Sequence, residues 1–290
     1  MVSVDVYRRH DAMSPACALL QPYAGAVGLV AILLFGFLLG CDEAAPAPAI
    51  AGWTATLAGA LRFYPQLCLN WQRRSVVGLS LDAQVYAVFG FGAYALFNCG
   101  FSWTANAHAN PLLSPMSVYA NLHALVLSML LLYQCTIFKR GAQVVSTSCQ
   151  VLVCAALVLT LVFLGLGLLL NVSAFTWPSF VALTCYLHVL LTAIKYAPQI
   201  ELQYERKSTH GFSVYGVVYD SVYGGATLAT LLASSAAAAN PWLLAIACMT
   251  IAFSAVLLLQ HFALYWQQPP MDTGASDDCT LQERRALIHV

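Results

Sequence analysis

The sequence predicts an all-α membrane protein with a seven-helix core: two parallel three-helix repeats joined by a linker helix, in a 3+1+3 order. Apolar residues make up 60% of the chain and charged residues 8%, against about 25% charged in an ordinary soluble domain. Seven apolar segments, each near the roughly 20 residues that cross a bilayer, follow one another from residue 50. A pattern at the end of the first, from Arg62 to Ser80, recurs without a gap at the end of the fifth, from Lys195 to Ser213. The zero net charge offers no field for nucleic acid. The ten cysteines have no metal-ligand spacing and read as small buried hydrophobes, so neither a cofactor nor a metal is expected.

Residues 1–49 form a leader with an apolar segment at 23–40. It reads as a further N-terminal helix or as a signal sequence, because Arg8 and Arg9 precede it and fit both. Leu38-Leu39-Gly40-Cys41 also resembles a lipoprotein cleavage box, on four residues alone. The first repeat, 50–138, holds spans at 50–71, 81–101 and 116–138. The linker helix is 149–170. The second repeat, 177–266, holds spans at 177–204, 212–234 and 242–266, and a polar tail occupies 267–290. Arg73/Arg74, Lys139/Arg140 and Arg206/Lys207 follow the first, third and fifth spans, and Arg284/Arg285 lie in the tail. The connections at 102–115, 171–176 and 235–241 contain no Lys or Arg. The positive-inside rule then places every basic connection and the C-terminus in the cytosol. Asn171-Val172-Ser173 matches a glycosylation acceptor on the other side, in a loop close to the membrane.

The repeated pattern centres on Pro65-Gln66 and Pro198-Gln199. Proline inside a span removes a backbone donor and frees a carbonyl one turn earlier, which kinks the helix and leaves polar groups facing a cavity. A neighbouring glutamine can both donate and accept there. One such pair reads as an ordinary packing kink. Two in register, with the same flanks, read as two halves of a pathway.

Around these pairs stand Phe63-Tyr64, Asn70-Trp71, Ser75-Val76, Gly78-Leu79-Ser80 and Asp82. Asn98, Leu122-His123-Ala124, Gln134-Cys135 and Gly141 follow. In the second half come Lys195-Tyr196, Lys207-Ser208-Thr209, Gly211, Asp220 and Gln260-His261-Phe262. Over about residues 50–267 these resemble the PQ-loop family, and within it the lysosomal proton-coupled cystine exporters. The resemblance implies two PQ-loop repeats, proton-coupled transport and retention of the coupling aspartate as Asp220. It also exposes departures. Ala87, Gln203 and Gly216 stand where those exporters have asparagines, His188 replaces a lysine and Ser117 an aspartate. Fold and proton coupling therefore carry over better than substrate.

A charge near the bilayer centre costs at least about 2.5–3.5 kcal/mol and marks a functional candidate. Arg62 and Lys195 each precede a basic pair by eleven residues, about 16 Å of helix, and are repeat-equivalent. They read as snorkelling or ion-paired structural groups, or as anchors for the two carboxylates of cystine across a pseudo-twofold axis. Members of the family generally lack a basic residue at the Arg62 position, so the anchor reading there rests on this sequence. Asp220 reads as the proton carrier, or as the permanent ion-pair partner of Lys195. Asp82 is either a gate residue or a favourable acid in a first helical turn. His188 is a proton relay or a neutral packing group. His123 and His261 read as hydrogen-bonded interhelical groups. Tyr215, Tyr219 and Tyr223 form a stripe that reads first as packing.

In the tail, Glu283 followed by Leu287-Ile288 resembles an acidic dileucine address read by adaptor complexes in the cytosol. The expected function is export of cystine, or a related amino acid, with protons from an acidic lysosomal or vacuolar lumen by alternating access. Asp220 and His188 would handle the proton. Lys195, Arg62, Gln66, Gln199 and Gln203 would bind substrate, and Pro65, Pro198 and Asp82 would gate. Competing readings are a transporter of a different, for example cationic, amino acid, a SWEET-like sugar uniporter, and a KDEL-receptor-like trafficking receptor that transports nothing. No nucleophile–base or phosphate-loop pattern suggests an enzyme.

Overall fold

The computed structural model describes residues 15–102, 115–169, 176–238 and 240–265. Arg8, Arg9, the Asn171 sequon and the sorting residues Glu283, Leu287 and Ile288 lie outside them. The described residues form helices α1 (Pro15–Gly40), α2 (Pro46–Leu61), α3 (Tyr64–Arg73), α4 (Leu81–Ser102), α5 (Pro115–Ile137), α6 (Thr147–Leu168), α7 (Trp177–Lys195), α8 (Ala197–Arg206), α9 (Val214–Ala233) and α10 (Pro241–Leu259). α10 ends in a π-helical turn, Gln260–Leu264. No strand occurs among them, and five helical segments are long and apolar enough to cross a membrane. The expected all-α membrane fold is met.

The first and fifth spans are each two helices. α2 stops at Leu61 and the chain resumes as α3 with Pro65 in its first turn; α7 stops at Lys195 and α8 follows with Pro198 in its first turn. A proline ring clashes with the preceding turn but suits a helix start, so each Pro-Gln pair ends one helix and begins the next. Both breaks are followed, ten or so residues on, by a left-handed residue, Arg74 (φ 51°) and Lys207 (φ 50°), that stops the second half-helix. The starts of α6 and α7 are capped: Ser146 accepts from Cys149 N and Thr176 from Ser179 N, satisfying orphan first-turn donors.

The repeats interlock. α4, the second span of one repeat, packs most extensively on α7, the first span of the other, and α9 packs in the same way on α2. α6 touches α7 and α4, and α1 touches α2 and α9. The linker helix therefore has a symmetry mate in α1, and the described residues are arranged as two halves of four spans each. α1 runs from Pro15, longer than the expected 23–40 segment. Its Gly25, Gly28 and Gly36 admit Tyr215, Tyr219 and Thr54 so closely that a Cβ at any of them would overlap the neighbour. Small residues allow this approach where lipid supplies no hydrophobic drive between helices. Tyr219 donates its hydroxyl to Gly25 O at 2.7 Å, and Ile32 is buried with Ala58 and Tyr219.

This packing makes α1 an integral part of the bundle. Gly28→Leu is expected to lower the thermal midpoint in detergent, whereas Gly165→Leu on α6, whose Cβ would meet nothing, stays within about 0.5 kcal/mol of the parent. Equal losses from the two changes would contradict the packing.

Candidate substrate pathway

Because the helices break where they do, Arg62 caps the end of α2 and Lys195 ends α7, and both enter the space between the repeats. A cavity of about 390 Å³ lies above them, lined at its far end by Pro48, Ala49, Thr230 and Leu243 and at its base by Arg62, His188, Lys195 and Tyr223. A smaller cavity of about 110 Å³ lies below, toward the end that carries the basic connections, and includes Asp220, Ala87 and Gly216. Arg62 and Lys195 line both. They form a layer between them around one ring: the Arg62 guanidinium is 5.0 Å and the Lys195 ammonium 5.3 Å from the centre of Phe91. Aromatic faces attract cations, so the two charges share Phe91 without meeting.

Asp220 pairs with Arg62, Nη1 to Oδ1 at 2.8 Å, and not with Lys195 as one sequence reading had it. Tyr196 donates its hydroxyl to the other carboxylate oxygen at 3.4 Å. Repeat symmetry puts the two cations at equal depth, so depth alone could not choose between them. The choice follows from α9 packing on α2. Lys195 has aromatic neighbours, Phe91 and Tyr196, and no carboxylate partner among the described residues.

Gln66 and Gln199 both line the smaller cavity, and their amides engage backbone atoms of the opposite repeat. Gln66 accepts from Ser213 N at 2.7 Å and donates to Gly211 O at 3.1 Å. Gln199 accepts from Ser80 N at 2.8 Å and donates to Gly78 O at 3.0 Å. Each glutamine thus clasps the Gly-x-Ser turn of the other repeat through the same two backbone atoms. The turns themselves meet back to back: a Cβ on Gly78 would strike His210 O, and one on Gly211 would strike Val77 O. Both glycines have positive φ, 106° and 90°, open to Gly without penalty. This double clasp ties the two repeats together at the basic end of the bundle.

Gln203 is fully buried, lines neither cavity, and leaves both amide atoms without a partner among the described residues. Its repeat-equivalent, Asn70, is satisfied by Gln66 and Gln134. Asp82 also lines neither cavity; it accepts from Ser146 N at 2.9 Å and ties the start of α4 to the start of the linker helix, which fits the first-turn reading rather than the gate. His188 does face the larger cavity. Its Nδ1 lies 2.8 Å from Gly90 O, and since a carbonyl only accepts, Nδ1 carries the hydrogen. The ring stacks on Tyr94 at 4.2 Å. Ser117 falls at the start of α5. His123 pairs with the Tyr64 hydroxyl at 3.0 Å and His261 with Thr209 at 2.7 Å. The tyrosine stripe divides: Tyr219 holds α1, while Tyr223 lies over Arg62 at 4.9 Å. Phe91 and Tyr223, the aromatic partners of the cations, were missed as site residues; four-residue spacing of Tyr223 from Tyr219 was the available signal. No metal-ligating cluster occurs among the described residues.

Twinned helix breaks, a cavity at their level and a mutual clasp at one end define a multi-pass membrane protein built from paired helical repeats. The PQ loop repeat profile matches residues 48–106 and 181–238, so the chain carries two such repeats. It is similar to the cystinosin of Bos taurus, 33% identical over 240 residues that cover 77% of this chain and 64% of that one. It is 27% identical over 251 residues to the cystinosin of Drosophila melanogaster, covering 81% and 62%. It is 27% identical over 236 residues to the cystinosin homolog of Arabidopsis thaliana, covering 74% and 85%. The chain spans less than two thirds of the length of the two animal relatives.

Two outcomes test the clasp. Gly211→Ala costs at least about 1–2 kcal/mol from the left-handed backbone alone, before the overlap with Val77 O, and lowers the thermal midpoint. His210 sits in the same seal. Desolvation there, and then the nearby Arg73 and Arg206, hold its imidazole below the ordinary value. The unfolded chain takes the proton first, so stability falls as pH drops below about 6.5. Thermal unfolding of His210→Asn between pH 8 and 5 shows a shallower acid loss than the parent; an unchanged slope would contradict the assignment.

Proposed function

We propose that the chain exports cystine together with protons from an acidic, lysosome-like lumen to the cytosol by alternating access. The observation that carries this reading is the layer of two cations, Arg62 and Lys195, at equivalent helix breaks on the floor of one cavity, with Asp220 held against one of them. Cystine is itself twofold, with an amino-acid head at each end, and two carboxylates match two cations. The similarity to cystinosins supports the substrate. The basic end is cytosolic under the positive-inside rule, so the larger cavity faces the lumen and the clasp forms the cytosolic gate.

In this mechanism Asp220 accepts a proton from the lumen while substrate enters the larger cavity. Lys195 and Arg62 orient the carboxylates, and His188 packs the cavity wall through its bond to Gly90. Gln66 and Gln199 act at the gate and not at the substrate. The clasp releases as the two halves rock about the Pro65 and Pro198 breaks. The Glu283–Ile288 segment supplies the lysosomal address. A second reading, a different amino acid as cargo, is favoured by Ala87 and Gly216, which line the smaller cavity without offering a polar side chain.

The test is uptake of radiolabelled cystine by cells that carry the protein at the plasma membrane after Leu287→Ala and Ile288→Ala. Uptake rises at external pH 5.5 over pH 7.4, disappears in Asp220→Asn at equal surface level, and shows a KM raised about tenfold or more in Lys195→Gln. Absence of cystine flux from correctly placed protein would contradict the substrate. Acid-dependent binding without flux would turn the reading toward a receptor.

A further inference from the structure

We propose that Arg62 couples the proton to the substrate: a substrate carboxylate and the Asp220 carboxylate compete for its guanidinium, so substrate arrival and Asp220 protonation promote each other. The inference rests on the transporter reading above and gives it a mechanism specific to this chain.

The geometry carries it. Arg62 lines both cavities, whereas Asp220 lines only the smaller one. A carboxylate that enters the larger cavity therefore meets the guanidinium from the side away from Asp220. Nη1 is engaged with Asp220, but Nε is buried with no hydrogen-bond partner, an orphaned donor of the kind that costs free energy unless a ligand satisfies it. The guanidinium carbon lies 5.0 Å from the Phe63 ring, 5.0 Å from Phe91 and 4.9 Å from Tyr223. Three aromatic faces hold the cation in place without supplying a negative charge.

A second carboxylate on this guanidinium lies within a few ångströms of the first, and two like charges at one site drive one of them to take up a proton. The groups that face Asp220 are Arg62 from α2, Lys195 and Tyr196 from the α7–α8 junction, and Tyr223 from its own helix. Asp220 is the one carboxylate among these groups, so it is the one that takes the proton. On the cytosolic side the order reverses. Asp220 gives up its proton, regains the ion pair with Arg62, and expels the substrate carboxylate. At every stage Arg62 has an anion, which avoids the several kcal/mol penalty of a bare buried charge. Lys195, which has no ion-paired carboxylate among the described residues, takes the second head of the ligand. The coupled ligand must therefore bear two carboxylates, one for each cation.

The experiment is titration of the purified full chain in detergent with cystine and with its mono-amide, at pH 5.5 and 7.4. The proteins are the parent, Arg62→Gln, Asp220→Asn and the double variant, which removes both charges and so avoids an uncompensated one. In the parent, cystine binds about tenfold or more tighter at pH 5.5, and its binding at pH 7.4 in weak buffer takes up protons. The mono-amide, which satisfies Lys195 alone, shows neither effect. Asp220→Asn binds cystine at both pH values as tightly as the acid parent. Arg62→Gln and the double variant bind weakly with no acid gain. An acid gain that survives Arg62→Gln, or Asp220→Asn binding no tighter than the parent at pH 7.4, would overturn the proposal. Failure of the parent to bind cystine at either pH would overturn the cystine reading instead; the same comparison with glutamate, which also bears two carboxylates, then decides the coupling.

Discussion

Two positive charges near the middle of a membrane protein are the constraint around which this bundle is arranged. Neither can be left bare. Arg62 receives the carboxylate of Asp220, and Lys195 is received by aromatic faces. Both arrangements require the helices to stop where they do. Had α2 and α7 run unbroken past residues 62 and 195, the side chains would have been packed into continuous helix surfaces instead of standing at caps that open into a cavity. The prolines three residues later impose the break, so a backbone rule about ring sterics sets where the charges can act.

The same breaks create the clasp. α3 and α8 are short amphipathic helices, and their first turns aim Gln66 and Gln199 at the turn that follows the other repeat's half-helix. The contact is reciprocal, so neither side can open alone: release of the Gly211–Ser213 turn from Gln66 moves the loop that abuts Gly78. Cross-packing of α4 on α7 and α9 on α2 extends the same exchange through the bundle. In the proposed cycle, a rigid rotation of one half against the other would break the clasp as a unit.

Much of the fold was legible in the sequence because it rests on local signals. Length and apolarity mark the spans, basic pairs order the connections, and an ungapped repeat declares the internal symmetry. The site was legible in part. Arg62, Lys195 and Asp220 stand out because charge inside an apolar run has few benign explanations. Their pairing was not, since symmetry gives both cations the same depth and only helix packing distinguishes them. The roles of Gln66 and Gln199 were hidden for a different reason: their partners are backbone atoms, which leave no residue type to recognise. Gln203 was expected at the cavity because it stands where the exporters it resembles have a substrate-region asparagine. It shares the face of Gln199 but lies one turn, about 6 Å, further along α8, beyond the residues that line the cavity. The role of α1 as mate of the linker helix could not be seen either, because the two helices share packing geometry and not a sequence pattern.

The central claim, that the clasp is a gate opened by substrate and acid together, is tested most directly by the distance between spin labels placed at Arg74 and Lys207, the equivalent left-handed caps at the basic end. In lipid nanodiscs, pulsed electron–electron double resonance should give one short distance for the empty protein at neutral pH. Cystine at pH 5.5 should add a longer population, and the mono-amide should not. A single unchanged distance under all conditions, in protein shown to transport cystine, would contradict the account.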